Sequence, residues 1–238
     1  MVSMESKELE LSIVIPAYNE KNRISRTLDA YLEFFDKTGM LYEIIVADYS
    51  NDGSKELIKE YQKKHKSLIL LDINQRGKGL AVFEGFKIAK GEYLSFTDAD
   101  NATSPEEFYK IYRGIEGYDA AIGSRGLGRS QVVSYHQSGL RRLGSFVLDI
   151  FFVRLLFGLG IRDTQCGAKI FKREKILEVL PRMRITNSIF DIELLWRFKG
   201  VGSIKEVPIR WVDDKFSHFR WTEIIEEFIG LLRVRLGV

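Results

Sequence analysis

Asp98-Ala99-Asp100 closes an apolar run, and two carboxylates at i and i+2 on a turn can share a divalent cation and face a diphosphate. Upstream, Arg76-Gly77-Lys78-Gly79 stands where a strand gives way to a helix. Glycine backbone there lets a phosphate approach free amide groups, while the two cations neutralise it. The pattern lacks the Gly-Lys-Ser/Thr ending of a Walker loop. No Gly-x-Gly-x-x-Gly follows the first strand, which weighs against a dinucleotide dehydrogenase. Tyr18, Glu20, Asp48, Asp52, Ser124 and Arg125 also fall just after apolar runs, completing a mixed-charge set suited to a nucleotide and its metal. Three scattered histidines (His65, His136, His218) make a histidine metal cluster an unsuitable reading. The single cysteine, Cys166, excludes a disulfide scaffold or a multi-cysteine zinc site and suits a reducing compartment.

The elements that must position these groups alternate along the first half. Leu11 to Pro16 reads as a strand closed by proline, because proline cannot continue a central strand. Ile24, Leu28, Tyr31, Leu32 and Phe35 then line one helical face, and Gly39 stops it. Strands are expected at Tyr42 to Asp48, Ser67 to Ile73, Tyr93 to Thr97 and Tyr118 to Gly123. Helices are expected after Asp52, which can cap the first of them, and from about Gly79 to Ala89. Ser104-Pro105-Glu106-Glu107 has capping-box spacing with proline at the first helical position. Strand–helix alternation of this kind implies an α/β fold, a mostly parallel sheet flanked by helices, with ligands at the carboxyl ends of the strands.

Composition supports one folded domain over residues 1–238. At 45% hydrophobic and 29% charged residues, the chain is too apolar for bulk disorder. The net charge of +3 is concentrated between His136 and Arg162, where Arg141, Arg142, Arg154 and Arg162 face one acid, Asp149. A nucleic-acid binder shows a broader basic face, so no nucleic-acid partner is expected. The segment from Gly139 to Gly160 is otherwise apolar and aromatic, and its inner stretch from Phe146 to Leu159, where only Asp149 and Arg154 are ionisable, falls well short of the ~20 residues that span a bilayer. Two readings stand: a buried core helix, or an amphipathic helix lying in a membrane interface with arginines at both ends. A second such segment runs from Phe216 through Trp221 and Phe228 to Arg235. Met1 to Glu10 shows no signal-peptide pattern, so the expected location is cytoplasmic, peripheral on the cytoplasmic face of a membrane.

The first strand ends Ile15-Pro16-Ala17-Tyr18-Asn19-Glu20, and with this the chain resembles the family 2 glycosyltransferases of the GT-A fold. Matching segments follow in order: Asp48 to Gly53, Arg76 to Gly79, the Asp98/Asp100 pair and Gly123-Ser124-Arg125. Within that family it most resembles the dolichyl-phosphate β-glucosyltransferase group. The segments that carry this are 98–103, 161–169, 190–195 and Glu206-Val207-Pro208-Ile209 with Trp211. The likeness covers roughly residues 9 to 225. It departs at Ala47, where an acid is usual, at Ala102, where mannose synthases place a glutamine metal ligand, and at Phe216-Ser217-His218, where Gly-Ser-Lys is expected.

The resemblance implies inverting transfer of a sugar, glucose first, from a UDP-sugar to dolichyl or polyprenyl monophosphate. That gives a lipid-phosphate-linked monosaccharide for glycosylation. It divides the chain into a nucleotide-sugar half, 1–125, and an acceptor and membrane-interface half, 126–238. Asp98 and Asp100 would hold Mg²⁺ or Mn²⁺. Pro16, Tyr18, Glu20 and Asp48 would hold base and ribose, with Ala99, Arg76 and Lys78 near the donor phosphates. Arg125, with Arg141 or Arg142, would grip the acceptor phosphate; Asp191 and Glu193 would orient sugar hydroxyls, or simply decorate a helix N-terminus. Asp163, Gln165 and Lys169 could line the acceptor side, with Cys166 between them as packing. Asp100, Arg125 and Asp191 are the expected catalytic set. Trp196 and Trp211 read equally as core or as sugar platforms. GDP-mannose or UDP-N-acetylglucosamine as donor, a soluble acceptor, or an inactive nucleotide-sugar-binding membrane adaptor are the alternatives; the oligomeric state stays open.

Overall fold

Leu11–Ala17 (β1) is buried on both faces, and alternation divides its side chains between two cores. Val14 joins Ile45, Val82, Phe86, Leu94 and Phe96 on one side of the sheet. Ile13 and Ile15 join Leu28, Tyr31, Phe35, Phe108 and Ile111 on the other. The computed structural model describes residues 9–133, 154–212 and 230–236.

The strands β2 (Tyr42–Asp48), β3 (Leu68–Asp72), β4 (Tyr93–Thr97) and β5 (Ala120–Ser124) lie where periodicity expects them, within two residues at each end. So do the helices α1 (Ile24–Thr38), α2 (Ser54–Lys64), α3 (Lys78–Ile88) and α4 (Pro105–Arg113). The five apolar residues expected on α1 are all buried, and Gly39 ends the helix at φ 74°, a left-handed conformation that glycine adopts without strain. Ser104 caps α4 by accepting the Glu107 N–H at 3.5 Å. Asp52 is not the N-cap expected of it: Gly53 takes that position with φ 95°, and Asp52, one residue earlier, accepts the Ser54 N–H at 3.0 Å.

The seven-stranded sheet runs β3-β2-β1-β4-β7-β5-β8, with β7 at Ala168–Lys172 and β8 at Ile204–Pro208. It is mostly parallel, but β7 is antiparallel to both of its neighbours. A two-stranded ribbon pairs β6 (Gln131–Val133) with β9 (Arg210–Val212).

Proline does not close β1. Pro16 stays in register with Ala47 of β2, and Ala17 follows it. The strand tolerates it because pairing with β4 ends at Val14, so no ladder partner on that side needs an N–H from residue 16.

The Leu140–Leu159 segment enters the described residues only at its end, where Phe157 and Leu159 are buried in the first core and Phe157 meets Trp196 edge-on at 5.5 Å. The end of this segment is therefore core. Arg141, Arg142 and most of the second apolar segment lie outside the described residues; Leu231 and Val234 are buried in the same core. Among the described residues no helix is long and apolar enough to cross a membrane.

Candidate active site

A cavity of about 560 Å³ opens at the carboxyl ends of β1, β3 and β4. Eight of the residues expected on the donor side line it: Pro16, Tyr18, Glu20, Arg76, Lys78, Asp98, Ala99 and Asp100. Arg23, Tyr49, Asn187 and Ser188 also line it, the last two coming from the second half of the chain.

Helix α1 sets the Asp98–Asp100 turn. Thr27 Oγ1 donates to the Ala99 carbonyl at 2.6 Å, and the Arg26 guanidinium donates to that of Asp100. Behind the turn, the buried Tyr31 hydroxyl donates to the Thr103 carbonyl at 2.9 Å and meets Thr97 Oγ1 at 3.1 Å. Asn101 then leaves the turn at φ 57°, a left-handed conformation that asparagine tolerates.

Lys78 Nζ meets Asp98 Oδ1 at 2.6 Å. Burial pulls the Lys78 ammonium down, but Asp98, Asp191 and Asp100 outweigh it and hold the cation firmly charged. Asp100 is pushed up to about 6 by burial and then by the Asp98 charge, with the Ala102 N–H opposing at 3.0 Å. A carboxylate whose ionisation is opposed by burial and by a neighbouring acid is one that a bound cation would favour. Among the described residues no third acid, histidine or cysteine joins the pair. Two carboxylates plus substrate phosphates is the ordinary ligand set of a small hard cation, so the residues fit Mg²⁺ or Mn²⁺ arriving with a diphosphate.

The amides at the start of α3 are not free for phosphate, contrary to the sequence expectation. The Gly79 and Leu80 N–H groups donate to the Asn187 and Thr186 carbonyls at 3.2 and 3.0 Å. The glycines serve this contact instead. A β-carbon at Gly77 would stand 2.6 Å from the Thr186 oxygen, and one at Gly79 would stand 2.6 Å from Phe190 Cβ. Glu193 holds the same loop from behind, accepting the Arg184 and Ile185 N–H groups at 3.0 and 2.7 Å and Arg197 Nε at 2.7 Å. Asn187 and Ser188 thus reach the cavity through a loop that no motif marks.

Asp48 does not line the cavity. It is fully buried, and its carboxylate accepts from the Ser50 hydroxyl at 2.5 Å and the Ser50 N–H at 3.1 Å. Burial raises its pKa and these two bonds oppose the rise. Glu20 lines the wall but is matched by Arg23 through Nε and Nη2, both at 2.7 Å.

The residues expected on the acceptor side form two separate pairs. Arg125 grips Asp163 through Nε and Nη2 at 2.7 and 2.9 Å, its own N–H adds a third bond at 2.8 Å, and its guanidinium lies over Trp211 at 5.2 Å. Burial would raise the Asp163 carboxyl, but Arg125 overcomes this and holds it below the usual carboxylate range. Lys169 and Asp191 are fully buried and meet at 2.6 Å, with Lys169 also donating to the Cys166 carbonyl. Burial raises the Asp191 carboxyl, and the Lys169 and Lys78 charges oppose it. The expected direct contact of Lys169, Asp191 and Glu193 with a substrate is not the geometry found: their charged ends meet one another, Arg197 and backbone inside the protein. Gln165 is half-buried. Cys166 is packing, its thiol pushed up to about 11 by burial. Trp196 and Trp211 both pack against the cores.

A sheet of this order, with an acid pair and a cationic wall at the strand ends, is that of a GT-A-like α/β domain. The chain belongs to glycosyl transferase family 2, whose profile matches residues 12–180. It is 33% identical over 229 residues to a dolichyl-phosphate beta-glucosyltransferase of Drosophila melanogaster, covering 88% of this chain and 69% of that protein. It is 36% identical to the Dictyostelium discoideum protein of that name, covering 85% and 66%. For the Saccharomyces cerevisiae protein the identity is 32%, with 87% and 68% covered. The chain thus spans about two thirds of the length of these relatives. Among solved structures it is similar to glucosyl-3-phosphoglycerate synthase from Mycobacterium tuberculosis in complex with Mn²⁺, UDP and glucosyl-3-phosphoglycerate. There the TM-score is 0.68 at 19% identity, over 97% of this chain and 81% of that one. Mannosyl-3-phosphoglycerate synthase from Rubrobacter xylanophilus gives a TM-score of 0.62 at 13% identity, over 95% and 73%. At these identities the likeness is one of fold.

Proposed function

We propose that this protein transfers glucose, with inversion, from UDP-glucose to dolichyl or polyprenyl monophosphate. The observation that carries the reading is the meeting of the Asp98–Asp100 turn with Arg76 and Lys78 in one cavity at the strand ends. The names of the relatives supply the acceptor and the sugar, and the solved neighbour's Mn²⁺ and UDP suit the same cavity.

When bound on Asp98 and Asp100, a divalent cation would neutralise the donor diphosphate and stabilise the departing UDP. The rest falls to this chain's own groups. Arg76 and Lys78 add positive charge along the donor phosphates, and Lys78 exchanges its Asp98 contact for them. Asn187 and Ser188, fixed by Glu193 and α3, close the wall on which the sugar rests. No side chain has to act as base: an acceptor phosphate monoester has a second pKa near ~6 and is mostly dianionic at neutral pH, so it is its own nucleophile. The enzyme's task is alignment and charge stabilisation. Arg125, anchored by Asp163, with Arg141 and Arg142 outside the described residues, is assigned to the acceptor phosphate. Lys169 and Asp191 act from beneath as positioning residues for Lys78 and the acid turn. A lipid acceptor requires the active site to meet a membrane surface, and the arginine-flanked apolar segment from Leu140 is the proposed point of contact.

The test is a panel of UDP-glucose, UDP-N-acetylglucosamine and GDP-mannose with a short polyprenyl phosphate, with and without EDTA. UDP-glucose should be the best donor and chelation should stop transfer. Preference for GDP-mannose, or transfer undiminished in EDTA, overturns the reading.

A further inference from the structure

Both peptide planes that flank Asp100 are held from helix α1. The Ala99 carbonyl, in the plane joining Ala99 to Asp100, accepts from Thr27 Oγ1 at 2.6 Å. The Asp100 carbonyl, in the next plane, accepts from the Arg26 guanidinium. A peptide unit is rigid, so two fixed planes fix the Asp100 α-carbon and the direction in which its side chain leaves the backbone. The Ala102 N–H, donating to Asp100 Oδ1 at 3.0 Å, then sets the carboxylate itself. One turn further along α1, the Tyr31 hydroxyl holds the end of the loop at the Thr103 carbonyl. Thr27 and Tyr31 are both fully buried, on a helix face otherwise made of Ile24, Leu28 and Phe35. A buried helical threonine can return its hydroxyl to the carbonyl four residues back. Thr27 has one hydroxyl proton to give, and gives it across the interface to the acid turn.

We infer that Thr27 is a positioning residue for a divalent cation: through the Ala99 carbonyl it presets the direction of the Asp100 carboxylate, and Tyr31 seconds it from the far end of the turn. The inference rests on the donor reading above and names what prepares that reading's metal ligand. Two features exceed the mere satisfaction of a buried carbonyl. The sheet does not hold the acids, because β4 last pairs with β1 at Phe96 and with β7 at Thr97, so Asp98 to Asp100 lie beyond the ladder. Helix α1 supplies the missing support, and the Thr27 bond falls on the one residue between the two acids. Asn101 then turns away at a left-handed φ of 57°, so the backbone after Asp100 has no regular structure to keep it in place. A partner standing behind a ligand in this way typically sets a roughly 10- to 100-fold range of metal affinity.

The experiment is titration of the full chain with Mn²⁺ in the presence of UDP, free Mn²⁺ being counted by its electron paramagnetic resonance signal. The proteins are the wild type, Thr27→Val, Thr27→Ser and Ser95→Ala. Valine keeps the shape of threonine and loses the hydroxyl; serine keeps the hydroxyl. Ser95 is the matched control, also fully buried and donating to a backbone carbonyl, that of Ser12 at 2.7 Å, but inside the sheet. Thr27→Val should bind Mn²⁺ roughly 10- to 100-fold more weakly, with Thr27→Ser close to wild type. Ser95→Ala should lower the melting temperature as Thr27→Val does and leave Mn²⁺ affinity unchanged, a difference that a merely structural role does not produce. Should Thr27→Val fail to fold, Tyr31→Phe keeps the ring, removes the other hydroxyl and should weaken Mn²⁺ in the same direction. Wild-type Mn²⁺ affinity in whichever of these two variants folds, or an equal loss in Ser95→Ala, overturns the inference and leaves the donor reading intact. A wild-type protein that takes up no Mn²⁺ with UDP present overturns the donor reading, and the inference with it.

Discussion

Gly167 and Asp98 occupy one place: a β-carbon on Gly167 would stand 1.9 Å from Asp98 Oδ2. The carboxylate of the acid turn therefore lies flat on the backbone that leads into β7, and only glycine leaves it room. The obstructing atom is the end of a side chain, so Gly167→Ala should displace Asp98 rather than unfold the sheet. The expected outcome is a fall in turnover of roughly 10- to 100-fold, the usual cost of misplacing a reacting group by about 1 Å. Thermal unfolding should move little; a melting point lowered as far as that of a core mutant would count against this account.

Asp100 gives a pH dependence with a definite sign. Its folded pKa of about 6 lies above the ordinary carboxylate value, so its ionisation opposes folding once the pH passes that ordinary value. Between there and 6 the metal-free protein holds a proton that a cation must displace. Mn²⁺ affinity should be flat above about pH 7 and fall progressively below it, which titrations at pH 5 and pH 7 would show. Asp100→Asn should abolish transfer yet raise the melting temperature of the metal-free protein at pH 7. A variant less stable than wild type under those conditions would contradict the origin given for the shift.

The buried pair Lys169–Asp191 carries a stability prediction. Lys169→Met leaves a fully buried carboxylate without its partner and should cost about 3–5 kcal/mol in urea unfolding. Asp191→Leu added to it removes the second charge and should recover most of that loss. If the double variant is no more stable than the single, the pair is not the unit described here.

The same pair explains why half of the fold was hard to read. Val, Ile and Phe periodicity announced β1 to β5 and α1 to α4, because those elements bury apolar stripes. Strand β7, Ala168–Lys172, carries lysines at 169 and 172 and shows no such stripe; Lys169 can sit in the sheet only because Asp191, far along the chain, neutralises it. The same strand is the one that runs antiparallel in a sheet that alternation reads as mostly parallel. The donor side was legible at Pro16, Tyr18, Glu20, Arg76, Lys78 and the acid turn, since charged and aromatic types at strand ends have few other uses. Asn187 and Ser188 were not, because their position depends on backbone bonds to Glu193 and α3 that residue type does not reveal. Glycines at 77 and 79 suggest room for a phosphate when residue type alone is considered, but what they make room for is Thr186 and Phe190.

Arg125 and Asp163 provide the last prediction, which separates a structural pair from an incidental one. Asp163 accepts three bonds from Arg125 and is almost fully buried, so its carboxyl sits below the usual range despite the desolvation that would raise it. A depressed folded pKa contributes stability that is fully present above the unfolded value, about 3.9, and is lost as the pH falls through the folded value. Asp163→Asn keeps the shape and removes the charge. At pH 6 to 7 it should lower stability by about 2 kcal/mol, the scale of hydrogen bonds to a charged group. The gap between wild type and variant should then narrow as the pH drops below 4, because both side chains become neutral there. Denaturant unfolding of the two proteins from pH 3 to pH 7 measures this directly. A gap that stays constant across that range would mean that the Asp163 charge contributes nothing to stability.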